Sequence, residues 1–257
     1  MTTSNTSNND YLVYKLKLIG PATIGGAGRF GVGAEAWAGE GGGVVDLNGH
    51  TLTNKATTFM FFHSRFANPG HFVQLGVTQQ ANDVAFNGSA ENTLTIADGK
   101  TWKFWGSVTT NTSWTVKGEG ATTFEVGSGS GLWQGPVESK KGITVKFPSS
   151  DNASTMTFNG DMSTESGALS VNVSSYTNKF LNLYCGNHSF AGGISLVGPC
   201  DLTVTGGVKH VLAGTVQVQY GAHAVFQDAG LVTQGLSTAV STAPLSRRPS
   251  RIEVLGK

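Results

Sequence analysis

Three sets of residues have types and spacings that could carry chemistry. His63, Arg65 and His71 lie within one short stretch, with Asp83 further on. Imidazole, guanidinium and carboxylate are the parts of an acid–base site if folding makes them converge. The second set, Gly26-Ala-Gly28-Arg-Phe-Gly31, matches G-x-G-x-x-G and precedes Asp46. A dinucleotide site also needs a helix directly after the glycines, with its N-terminus facing the pyrophosphate. The stretch 32–43 holds Gly33, Gly39, Gly41, Gly42 and Gly43 and is a poor helix former. It reads as a Gly-rich loop, and no cofactor is expected. The third set is Trp102, Trp105, Trp114 and Trp133, whose ring faces suit stacking on sugars. Along 101–105, Trp102 and Phe104 share one side of a strand, and Lys103 and Trp105 the other. Trp105 and Trp133 are the expected carbohydrate contacts; core packing is the competing reading of every tryptophan.

The remaining reactive residues give less. Cys185 shares parity with Leu181 and Leu183, and Cys200 with Leu202 and Val204, so both thiols are expected inside and free rather than bonded. The six histidines form no H-x-H or H-x-x-x-H pair, and no metal site is expected. Acidic residues, Asp46, Glu119, Glu138 and Asp201 among them, are scattered, so no catalytic residue is assigned and enzymatic activity is unsupported. Arg247, Arg248 and Arg251 read as a solvated tail. With a formal net charge of +1 and no basic face, nucleic acid is not an expected partner. No apolar run approaches the roughly 18 residues of a membrane span. Residues 1–10 are a polar tail without the basic and apolar regions of a signal peptide.

What must position these residues is a set of strands. The chain has 36 glycines and only 13% charged residues, against roughly 25% in average proteins. Thr and aromatic residues suit pleats, while Gly and Asn suit turns. Apolar and polar residues alternate in short runs from end to end: YLVYKLKLI from Tyr11, ITVKF from Ile143, ALSVNV from Ala168, TVQVQ from Thr215. Period-2 patterning marks strands buried on one face. An apolar residue followed by Asn-Gly occurs at Leu47, Phe86 and Phe158, each between two such runs. One copy would be a hairpin turn; three copies suit a corner reused in successive coils. Degenerate repetition predicts an all-β, right-handed parallel β-helix of roughly 20–25 residues per coil with inserted loops, spanning 11–232 as one domain. A β-sandwich or jelly roll is the alternative. Residues 233–257 read as a C-terminal tail or a final irregular coil.

The stretch Leu181-Asn-Leu-Tyr-Cys-Gly186-Asn187-His-Ser-Phe190-Ala-Gly192-Gly193-Ile194-Ser-Leu196-Val-Gly198 resembles the autotransporter-associated β-strand repeat. A second copy is similar from Phe124 through Trp133, Gly135 and Val137 to Ile143. Gly43 to Thr53 resembles a strand–turn–strand unit widespread in parallel β-helices. The resemblance implies a pectin-lyase-like β-helical stalk or passenger region of a large exported bacterial protein. It implies a secreted or outer-membrane-associated location, with the export signal outside this chain, as part of a longer polypeptide. The implied role is structural or adhesive, with glycans or host-surface ligands as partners. A carbohydrate-binding or polysaccharide-degrading β-helix, of lyase or glycoside hydrolase class, is the alternative.

Overall fold

Each alternating run becomes a strand, and each strand pairs in parallel with strands one turn before or after it. The computed structural model describes residues 11–13, 15–25, 29–33, 43–56, 58–76, 78–86, 92–110, 114–127, 129–148, 153–174, 179–206, 209–227, 230–239 and 249–255. Among these there is no helix, and the chain is a parallel β-solenoid. One turn shows the plan. Thr122–Val126 lies on a first face, Gly129–Trp133 on a second and Val137–Ser139 on a third. Ile143–Phe147 then returns to the first face, placing Ile143 beside Thr122, 21 residues earlier. The next two turns place Leu169 beside Ile143 and Ile194 beside Leu169, offsets of 26 and 25 residues. A sandwich or jelly roll requires antiparallel pairs, so the uniformly parallel ladder excludes that alternative.

Alternation fixes the inside. Thr122–Val126 and Ser154–Phe158 alternate buried and half-buried residues along their length. Parallel pairing in register then stacks inward residues on inward residues, about 4.8 Å apart. On the second face Trp133 stacks on Phe158, then Leu183, Val204 and Phe226. Aromatic rings concentrate in one part of this core. Phe86 lies 4.7 Å from Phe66, 5.4 Å from Trp114 and 5.7 Å from both Trp102 and Trp133, centroid to centroid. Full burial of each such side chain contributes about 1.5–3 kcal/mol, so the stack holds neighbouring turns together more than any surface pair does.

The first and third Asn-Gly corners fall where repetition predicts. Leu47, Phe86 and Phe158 are fully buried and each ends a second-face segment. At the first corner Asn48 and Gly49 take φ of 47° and 76°, the left-handed values that favour this pair. The second corner, Asn87-Gly88, lies outside the described residues. At the third, glycine serves a different need. A Cβ on Gly160 would lie 2.7 Å from the Gly135 carbonyl oxygen, and one on Gly186 2.3 Å from that of Gly160. Corner backbone therefore packs directly on corner backbone, turn after turn.

Two features of the ladder were not legible in the pattern. Thr58–Asn68 and Thr101–Thr110 each run round from the first face to the second as one strand, the latter with a register shift between Trp105 and Val108 that bends it. The segment read as a tail or irregular coil also supplies strands. Gly230–Ala239 continues the third and first faces, and Arg251–Leu255 the second. Its inward positions include Thr233 and Thr238, which weakens the alternation. Residues 1–10 lie outside the described residues.

Candidate functional site

Of the four residues of the expected acid–base group, Arg65 and His71 lie on different faces. Arg65 is on the second face, paired with Val44 and Ala85, whereas His71 is exposed on the third, paired with Thr51 and Thr93. The side chains of His63 and Asp83 lie outside the described residues. In the G-x-G-x-x-G match, residues 26–28 are likewise outside, and Arg29–Gly33 is a strand rather than the start of a helix.

The tryptophans divide differently from expectation. Trp133 is fully buried, facing Phe158 in register; with no exposed ring face, it is corrected from carbohydrate contact to core residue. Trp102 and Trp114 are also fully buried. Trp105 pairs with Asn82 in the backbone ladder, and its side chain lies outside the described residues. Of the two cysteines, Cys200 is buried as expected and Cys185 is exposed. Parity fails at Cys185 because the strand ends at Tyr184. Cys185 then takes φ of 59°, which turns its side chain out of the alternation.

Register brings together residues that the sequence keeps apart. On the outer side of the second face, Phe180, Asp201, His223 and Arg251 follow one another in a column. Glu253 lies beside His223 on the last strand. The His223 imidazole is bracketed by carboxylates, with Nδ1 3.7 Å from Asp201 Oδ1 and Nε2 3.6 Å from Glu253 Oε1. The Arg251 guanidinium pairs with Glu253. All three bracketed side chains remain solvent-accessible, at 21%, 25% and 22% exposure for Asp201, His223 and Glu253. Phe180, 37% exposed, adds an aromatic face one turn earlier. Such an arrangement presents polar and charged groups beside an aromatic ring. Among the described residues no group of three or more His, Cys, Asp or Glu could hold a metal ion.

A second titratable cluster is internal. His188 and His210 are buried and stacked, with ring centroids 5.0 Å apart and planes 11° from parallel. Nε2 of His210 lies 2.9 Å from the Gly206 carbonyl oxygen, and the His188 amide donates to His210 Nδ1 at 3.4 Å. These bonds fit a neutral His210 carrying its proton on Nε2. Neither ring nitrogen of His188 has a hydrogen-bond partner among the described residues. Burial first, and then the neighbouring His210, push the His188 pKa down from 6.5 to about 4, with Asp161 opposing both. Burial also lowers that of His210, against the raising effect of the Gly206 carbonyl.

Both clusters were hidden because stacking depends on coil length. Asp201 and His223 are 22 residues apart, His223 and Glu253 30, and only the register makes them neighbours. No protein-family model, no curated protein and no solved structure matches the chain.

Proposed function

We propose that this chain is a structural and adhesive β-solenoid segment of an exported bacterial surface protein, similar to an autotransporter passenger, and that it has no catalytic role. The observation that supports this reading is the fit of the Leu181–Gly198 motif to one turn. Its three strands, Lys179–Tyr184, His188–Phe190 and Ile194–Val197, occupy the second, third and first faces in order. Leu181, Leu183, Phe190, Ile194 and Leu196 form its buried side. Gly186 stands where a Cβ would meet the previous corner. A repeat that encodes one complete turn is suited to extension by copying, which is what a stalk needs. Fractionation of the source cells, with antibody against this chain, tests the assignment. Recovery at the surface or in the medium is expected; confinement to the cytosol would overturn it.

A second reading, glycan contact, draws on the outer column of Phe180, Asp201, His223 and Arg251, with Glu253 beside it. An exposed ring beside hydrogen-bonding and charged groups suits a polyhydroxylated ligand. Titration against a panel of neutral and acidic polysaccharides tests it. Binding lost in Phe180→Ala supports contact. Degradation products above a heat-killed control would instead replace the non-catalytic reading.

A further inference from the structure

We propose that the Asn159–Gly160 corner modifies itself: Asn159 converts slowly to aspartate and isoaspartate through a cyclic imide, and the conversion loosens the turns on either side. Asparagine followed by glycine has the parts for this reaction, because no side chain shields the following amide. The Gly160 nitrogen bonds to Asn159 Cγ, and ammonia leaves with the proton that the backbone amide gives up. Water then opens the ring at either of its carbonyls. The net change is one water consumed and one ammonia released, with no oxidant.

The two described corners with this pair differ in what holds the reacting groups. Ring closure brings the asparagine Cγ onto the next backbone nitrogen, so both must be free to move. At the first corner neither is. The Gly49 amide donates to the Pro69 carbonyl at 2.7 Å, and Asn48 Nδ2 donates to the Leu18 carbonyl at 3.1 Å. One bond reaches the following turn and the other the preceding one. At the third corner, among the described residues, the Gly160 amide has no hydrogen-bond acceptor and Asn159 Oδ1 no donor. Both residues are half-buried, so water reaches them.

The product does not fit where the amide did. The Asn159 side-chain oxygen is enclosed, and Asp161 stands two residues on. A carboxylate there gains charge with no donor among the described residues to offset its burial. Isoaspartate also lengthens the backbone by one methylene. The corner has no slack for it, since a Cβ on Gly160 would already lie 2.7 Å from the Gly135 oxygen, and one on Gly186 2.3 Å from that of Gly160. The inter-turn bonds around the corner are those that yield. They run from the Val137 amide to the Asp161 carbonyl at 2.9 Å, and from the Asn159 amide to the Trp133 carbonyl at 2.7 Å.

Incubation of the folded 257-residue chain in mildly alkaline buffer, with conversion at each site followed by peptide mass spectrometry, tests this. Having two hydrogen bonds to release should slow Asn48 roughly tenfold or more relative to Asn159. In urea the two rates should converge. Amides of Val137 and Asn159 should lose exchange protection in step with conversion. Asn159→Gln, which would have to close a less favourable six-membered ring, should prevent both, with circular dichroism confirming that the variant keeps its strands. Asn159 that stays intact in the folded chain while it reacts in urea overturns the proposal, as does Asn48 converting equally fast when folded. So does protection that falls equally in aged Asn159→Gln, or that holds after Asn159 has converted.

Discussion

Acidification from pH 7.5 to 4 should loosen the turn that contains His188. The sign follows from linkage. In the unfolded chain this imidazole titrates near 6.5, and in the folded chain near 4. Above pH 6.5 it is neutral in both states and costs nothing. Between 6.5 and 4 the unfolded state binds the proton and the folded state does not, so stability falls as pH falls. Below 4 both states are charged and the loss levels off. A displacement from 6.5 to about 4, at about 1.36 kcal/mol per unit, sets the full loss at about 3 kcal/mol. His210 adds in the same direction, because burial lowers its pKa too, against the Gly206 carbonyl. Asp161, the carboxylate that raises the His188 pKa, limits the loss.

Stacked-repeat proteins open locally rather than all at once, so hydrogen exchange is the assay of choice. Amides of 188–190 and 209–212 should lose protection across this window, while those near Trp114 hold theirs. His188→Leu removes the titrating group and leaves no polar atom unpaired. It should flatten the acid dependence with a change within about 1 kcal/mol at pH 7.5. Equal slopes in the wild-type chain and His188→Leu between pH 6.5 and 4 would refute the reasoning.

Other consequences are open to simpler measurements. Gly160→Ala should destabilise by about 2 kcal/mol or more in urea melts, because its Cβ would lie 2.7 and 2.9 Å from two backbone oxygens of the adjacent corner. Trp133→Phe should be nearly neutral in the same assay. Its indole Nε1 is buried with no hydrogen-bond partner among the described residues, so losing that group offsets the roughly 1 kcal/mol of the small cavity left behind. Thiol labelling under native conditions should modify Cys185 quickly and Cys200 only after unfolding, as their exposed and buried positions require; equal rates would contradict the φ-driven break at Cys185.

The architecture was legible because its cause is local. Ile143–Phe147 and Leu169–Val173 bury every second residue, and that alternation is written in the residue types. The corners were legible in part for the same reason, since Leu47, Phe86 and Phe158 each turn a buried residue inward at the end of a second-face segment. Trp133 was not, because Leu132 beside it is also apolar, and only register with Phe158 decides which of them faces inward. Cys185 was misplaced since parity assumes that a strand continues, and a positive φ ended it. The His223 cluster and the His188–His210 stack depend on how many residues each coil spends between faces. That is a property of loops, and loop lengths here follow no fixed period.

The pairing of each strand only with strands one turn away bears on how the rod would respond to tension. Inter-turn hydrogen bonds run along the axis, so a pull on the two ends loads one turn at a time and peels it from the next. Each released turn exchanges about 4.8 Å of rod for a free segment such as the 25 residues between Leu169 and Ile194. Extended at about 3.3–3.6 Å per residue, that segment reaches roughly 85 Å. A stalk built this way would lengthen in steps under load, giving way turn by turn while the remaining turns stay folded.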